Sequence, residues 1–318
     1  MSIPKFVKER EEKGEGFDLY FAGTQCDECE VWMLSHGSNR LQSQLNDRKN
    51  IARWCEHPDE RGKLFIDSGA FTAHTLDKEL NVDEYIEYVN SIDEYIDCFA
   101  QVDHIPGKFR QPKTQEQLLE APKLSWDNYL YMKDKVKSKH KLLPIFHQGE
   151  SWEWLHNMLE YTDEDGHIPY IGISPANDVS TNVKEVFIKK CFSIIGKSSN
   201  PDVKTHAFGM TSLPLLETYP FYSADSTGWI MVGAMGNIMT PWGVIDVSDK
   251  NKYMQGHVAN MSPEATKELF KWLEDNGMDP QEVFTNYKVR MNVNLIYLTG
   301  WMKSYKFKGS SMYKKQLF

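Results

Sequence analysis

Short, continuously apolar runs bounded by polar residues recur along the chain, and they constrain its fold more than any other feature. They read "FDLYFAG", "KLFIDSGAF", "YIDCFAQVD", "LLPIFHQG", "YIGISP", "THAFGM", "YPFYSAD" and "WIMVGAM". Runs of this length without polar alternation are what strands covered on both faces require. Between most of them lie segments with apolar residues three and four apart, including "NVDEYIEYVNSI", "TQEQLLEAPKLSWDNYLYMKDKV", "SWEWLHNMLEYT" and "NVKEVFIKKCFSIIG", as amphipathic helices demand. Eight candidate strands alternating with helices over about 240 residues predict an α/β protein built as a (β/α)8 TIM barrel. An open doubly wound sheet is the runner-up. It would usually carry a glycine-rich phosphate loop after the first strand, and "FAGTQCDECE" holds no such loop.

With 318 residues, 41% of them hydrophobic, the chain can bury one large core or two modest ones, and no apolar run is long enough to span a bilayer. The reading places the barrel over 1–255. A C-terminal helical extension with a basic arm, packed on the barrel, follows over 256–318. The charged start "MSIPKFVKEREEKGEG" lacks the apolar core of a secretory signal, and five cysteines at irregular spacing suggest no disulfide framework, so a cytoplasmic location is expected. Net charge is −9. No acid follows Glu282, and residues 283–318 carry seven Lys or Arg, leaving roughly −16 on the rest. Either a basic arm on an acidic body or a solvated tail fits that distribution.

In a barrel all strand C-termini converge on one mouth, and Asp67, Asp103, Gln148, Ser174, His206 and Asp225 each close an apolar run. A strand-end aspartate is commonly only a helix cap. Three acids and an amide on separate strands point instead to a shared pocket.

These segments occur in the order "DSGAF" (67–71), "VDHIP" (102–106), "FHQG" (146–149), "GISPAND" (172–178), "HAFGM" (206–210) and "SADSTGW" (223–229), followed by the hairpin-like "GNIMTPWGVIDV" (236–247). Over roughly residues 60–250 the pattern resembles the tRNA-guanine transglycosylase superfamily. The resemblance implies exchange of a guanine in nucleic acid for a 7-deazaguanine base through a covalent enzyme–sugar intermediate, with no cofactor and no catalytic metal. It further implies Asp225 as nucleophile, Asp67 as the acid managing protons on the departing and entering bases, and Asp103 as the reader of guanine N1 and N2. Gln148 would bind O6, the backbone of Gly172 and Ile173 would touch the 7-substituent, and Phe71 and Phe208 would sandwich the flipped ring. Plain core packing is the competing reading for both phenylalanines.

Typical members hold a structural zinc near the C-terminus through C-x-C-x-x-C and a later His, and no cysteine follows Cys191 here. Zinc-poor relatives that this chain resembles include phage and bacterial enzymes that place 7-deazaguanines into DNA. DNA is therefore the expected nucleic-acid partner, with tRNA the alternative, in the cytoplasm of a bacterial or phage-infected cell. A homo-oligomer or a partner subunit is compatible with this reading. Lys303, Lys306, Lys308, Lys314 and Lys315, interleaved with Tyr305, Phe307 and Tyr313, are the candidate nucleic-acid-binding arm. Cys26, Cys29, Cys55 and His57 offer a second place for zinc, against the commoner outcome of lone thiols. Two rival functions remain at this stage: a metal-dependent hydrolase using Asp103, His104, His147, His206 and Asp225, and a non-catalytic partner that keeps the fold alone.

Overall fold

The computed structural model describes residues 3–23, 27–57, 61–108 and 110–309. Nine strands form one sheet: β1 Asp18–Ala22, β2 Arg40–Ser43, β3 Leu64–Asp67, β4 Cys98–Ala100, β5 Leu142–Leu143, β6 Ile145–His147, β9 Tyr170–Ser174, β10 Lys204–Ala207 and β11 Ser223–Ser226. Two short hairpins lie outside it, β7 Thr162–Asp163 with β8 Gly166–His167, and β12 Asn237–Thr240 with β13 Gly243–Asp246. The sheet order is β5-β4-β3-β2-β1-β11-β10-β9-β6, and every pairing in it is parallel. Its two edges, β5 and β6, are consecutive in the chain and separated only by Pro144, so the sheet curls into a nearly closed barrel with helices around it.

Alternate residues of each strand feed two different cores, which explains why the runs are apolar throughout. Leu19, Phe21, Leu64, Ile66, Phe99, Ile171, Ile173 and Ala224 face outward, packing with helix residues such as Trp54, Tyr85, Met132, Leu155 and Trp229. Tyr20, Phe65, Cys98, Ala100, Leu143, Ile145 and Tyr170 fill the interior. Polar residues in phase with the inward set, Asp67 after Phe65 and Asp225 after Ser223, therefore face inward too.

Two local expectations are corrected. "WIMVGAM" is not a strand but part of the helix Gly228–Ala234. Trp229, Ile230 and Gly233 form its buried face, while Met231 and Met235 are exposed, and the long helix Tyr287–Ser304 approaches so closely that a Cβ on Gly233 would come 3.0 Å from the Met291 backbone nitrogen. The missing strand is β2, whose outward Arg40 forms a buried ion pair with Glu30. The other helical segments form as expected, Thr114 and Gln117 making a capping box at the start of Gln115–Lys135.

The hairpin β12–β13 contributes Ile238 and Ile245 to a second core with Val258, Leu269, Leu273, Val283 and Val293. This core joins the hairpin to the helices Pro263–Asp275, Pro280–Thr285 and Tyr287–Ser304. Among the described residues no helix is long and apolar enough to cross a membrane.

Candidate active site

The C-terminal ends of the strands surround a cavity of about 500 Å³ lined by Asp67, Phe71, Asp103, Gln148, Ser174 and Phe208, among others. Asp67 is the last residue of β3. The chain turns at once through Gly69, whose φ of +80° lies in the left-handed region that glycine adopts freely, and the Gly69 N–H donates to Asp67 Oδ2 at 3.0 Å. Burial pushes the Asp67 carboxyl up; the Gly69 N–H restrains the rise and the negative charges of Asp103 and Asp225 add to it, giving a pKa of about 6.

Asp103 follows β4 and accepts from Gln101 Nε2 at 2.7 Å. Its other oxygen lies 3.3 Å from His147 Nε2, while His147 Nδ1 lies 3.1 Å from Glu150 Oε1. Burial works to lower the His147 pKa, but the two flanking carboxylates outweigh it and raise it to about 10. A cationic imidazole thus bridges Asp103 and Glu150, about a third of its surface still open to the mouth. Gln148 is anchored by its oxygen, which accepts from Ala176 N at 3.0 Å; its nitrogen end is the donor that a base carbonyl requires.

Asp225, 7% exposed, lies just behind the cavity and is not among its lining residues. The lining residue Gly209 donates its N–H to Asp225 Oδ1 at 2.8 Å, and His206 Nε2 lies 3.3 Å from the same oxygen. Phe71 is 64% exposed at the rim. Phe208 is half-buried, its ring edge-on to His206 with centroids 4.5 Å apart and to Phe65 at 5.7 Å. Both phenylalanines line the cavity.

Gly172 and Ile173 are placed differently from Asp67 and Asp103. Gly172 N donates to Pro144 O at 2.8 Å, Ile173 O accepts from Phe208 N at 3.0 Å, and a Cβ on Gly172 would come within 2.5 Å of Phe208 Cε2. The Phe208 ring covers this backbone, which is not among the cavity's lining.

The C-terminal segment lies at the other end of the barrel. Phe17, just before β1, donates its N–H to Met302 O at 2.9 Å and packs against Tyr305 with ring centroids 4.8 Å apart. Tyr305 Oη donates to Leu216 O at 3.1 Å, and Phe307 is buried with Phe6 and Val7. Tyr305 and Phe307 are therefore packing residues beneath the strand N-termini. Of the exposed lysines there, Lys303, Lys306 and Lys308, the last pairs with Glu217 at 2.7 Å. Lys314, Lys315 and Tyr313 lie outside the described residues.

Three groups were not singled out for the pocket from sequence: Glu150 and Gln101, which hold His147 and Asp103, and the acid-free stretch 104–114. Lys113 lines the cavity, and Lys108 and Arg110 are exposed on the same connection. The absence of acid from that stretch was the readable signal. Among the described residues no group of three or more His, Cys, Asp or Glu side chains is placed to hold a metal ion. Cys26 of the second zinc set lies outside the described residues, while Cys29 is buried and Cys55 half-buried. Neither a scan against protein-family models nor a search of curated proteins returns a match.

Proposed function

We propose that this protein is a nucleic-acid guanine transglycosylase that exchanges guanine for a 7-deazaguanine base, acting on DNA in preference to tRNA. The single observation that carries the reading is the convergence of Asp67 and Asp103, from separate strands, on one cavity of about 500 Å³, with Asp225 held directly behind the lining residue Gly209 and Asp67 carrying a pKa of about 6. As an architecture the reading takes β5 and β6 as one strand interrupted at Pro144, which makes a (β/α)8 barrel with a C-terminal helical extension. Catalytic groups at the strand C-termini are the rule in such barrels.

In the first step Asp225 Oδ2 forms a bond to the sugar C1′ while the C1′–N9 bond breaks and its electron pair leaves on the guanine. Asp67, protonated, neutralises the departing base. In the second step Asp67 accepts the N9 proton of the entering 7-deazaguanine, whose N9 attacks C1′; the C1′–Oδ2 bond breaks and its electron pair returns to Asp225. Retention at C1′ follows from two displacements. Asp103 accepts from N1–H and the N2 amino group, a pair of donors that guanine and its 7-deaza analogues share. Phe71 and Phe208 flank a base that has to leave its stack to reach Asp225. Lys113, with Lys108 and Arg110 nearby, suits the backbone on this face better than the C-terminal segment does.

The experiment incubates the protein with a 7-deazaguanine and either guanine-containing DNA or tRNA, and looks for a protein–nucleic acid species on a denaturing gel and for exchanged nucleosides by mass spectrometry. The expected result is an adduct with DNA that Asp225→Ala abolishes, with turnover falling about 10⁴-fold or more. An adduct that persists in Asp225→Ala, or its absence from the unaltered protein with both nucleic acids, overturns the reading.

A further inference from the structure

We infer that Tyr170, Ser223 and His206 form a positioning chain that anchors one oxygen of Asp225 and leaves the other to react. The inference rests on the transglycosylase reading for what Asp225 does, and on geometry alone for the chain itself.

The three residues stand on adjacent strands, β9, β11 and β10, with His206 in register with Ser223. Tyr170 Oη is hydrogen-bonded to Ser223 Oγ. Ser223 Oγ lies 2.5 Å from His206 Nδ1, and His206 Nε2 lies 3.3 Å from Asp225 Oδ1. A carboxylate only accepts, so Nε2 has to carry a proton. In a neutral ring Nδ1 then accepts, the Ser223 hydroxyl donates to it, and the Ser223 oxygen accepts from Tyr170. One direction of donation satisfies every member.

The surroundings keep the ring neutral. His206 is 0% exposed and enclosed edge-on by Phe65, Phe208 and Tyr20. Burial lowers its pKa and Asp225 alone opposes that. The titratable groups facing it are Tyr20 and Asp225, with Tyr170 reached through Ser223.

Both hydrogen bonds to Asp225 fall on Oδ1, from His206 and Gly209, and among the described residues none is accepted by Oδ2. The consequence for the reaction is directional. In the covalent intermediate Oδ2 is esterified to C1′ and Oδ1 becomes a carbonyl oxygen, a weaker acceptor than a carboxylate. The donors on Oδ1 therefore favour the departing carboxylate and speed cleavage of C1′–Oδ2 when the entering base attacks. Without them the nucleophile is more basic and the intermediate longer-lived.

The full-length protein is assayed on guanine-containing DNA and on tRNA with a 7-deazaguanine, recording kcat, KM and the steady-state fraction of adduct. His206→Phe keeps a ring and removes both nitrogens. It is expected to lower kcat by about 100-fold, lower the KM for the nucleic acid with it and raise the adduct fraction several-fold. His206→Gln, which returns an N–H near the Nε2 position, is expected to recover most of the loss. Unchanged kcat and adduct fraction in His206→Phe, or equal losses in the Phe and Gln variants, overturn the inference. If His206→Phe does not fold, Tyr170→Phe and Ser223→Ala each remove a single hydroxyl and are expected to shift the adduct fraction the same way; no shift in either overturns it. ¹⁵N NMR of the histidines in the substrate-free protein is expected to show His206 as the neutral Nε2–H tautomer at about pH 7; an Nδ1–H tautomer or a cation there overturns the chain. A wild-type protein that forms no adduct refutes the transglycosylase reading, while the tautomer still decides the chain.

Discussion

The two ends of the barrel handle buried charge in opposite ways. At the strand N-termini Asp18 is met by Arg10 at 3.1 Å and Lys63 at 2.7 Å, and Arg10 also donates to Tyr222 O at 2.9 Å while lying over the Tyr222 ring. Cations there match or outnumber the acid, and nothing is poised to change state. At the strand C-termini His147 contacts Asp103 and Glu150, and His206 contacts Asp225. Among the described residues no cation is paired with Asp67, and burial raises its carboxyl to a pKa of about 6. Compensated charge marks the end that holds the fold together; on the proposed transglycosylase reading, uncompensated charge marks the end where a substrate completes the balance.

Breaking the mouth is expected to have the largest effect. Asp103→Asn replaces an acceptor by a donor opposite N1–H and removes a partner of His147, so guanine exchange should fall by on the order of 100-fold or more while the fold survives. Unchanged guanine exchange in that variant would remove Asp103 from the base-reading role.

Asp67 sharpens the comparison through pH. As the proposed acid for guanine departure it would have to be protonated, so kcat/KM should fall about tenfold per unit as pH rises through about 6, and Asp67→Asn should erase that limb together with most of the activity. Its stability effect runs the same way. A carboxyl whose folded pKa is raised costs nothing below the ordinary carboxylate range, and its full cost is present above about 6. Asp67→Asn should therefore stabilise the protein by on the order of 1–3 kcal/mol at about pH 8 and by almost nothing at about pH 3; denaturant midpoints at the two pH values check it.

At the opposite end the expectation reverses. Arg10→Met should destabilise the protein by about 1–3 kcal/mol, because Asp18 keeps Lys63 but loses its buried partner, while kcat per folded molecule stays unchanged. A change in kcat would mean that the floor reports to the mouth.

The smallest effect concerns salt. On duplex DNA each phosphate contact contributes about one unit to the log–log salt slope of binding. Lys108→Ala and Lys113→Ala should each make the slope shallower by up to about one unit, whereas Lys306→Ala should leave it alone. The reverse pattern would place the nucleic acid on the underside.

Much of this was legible in the chain before any coordinates. Strands buried on both faces announce themselves as unbroken apolar runs, and the strand-end acids Asp67, Asp103 and Asp225 stood out because a cap needs no apolar strand before it. β2 was hidden because Arg40 hides its charge against Glu30, a pairing that spacing along the chain does not reveal. The run 229–235 misled because its exposed positions, Met231 and Met235, are as apolar as its buried ones, so no polar face marks it as a helix. Which end of the barrel the basic segment meets was equally invisible: charge composition names a surface but not its side, and Tyr305 and Phe307 read as ligands for bases until packing claims them.

The clasp beneath the barrel bears on how the molecule is made. Phe6 and Val7 share a small core with Phe307, and Lys308 N donates to Glu217 O at 2.7 Å, so segments from opposite ends of the sequence meet under the ring. Contacts of such long sequence separation form late, after the entropy of a very large loop has been overcome. A growing chain that has already delivered every strand still lacks Trp301 and Tyr305, whose rings pack on Phe17 with centroids 5.5 and 4.8 Å away, and that part of the underside waits on the helix Tyr287–Ser304.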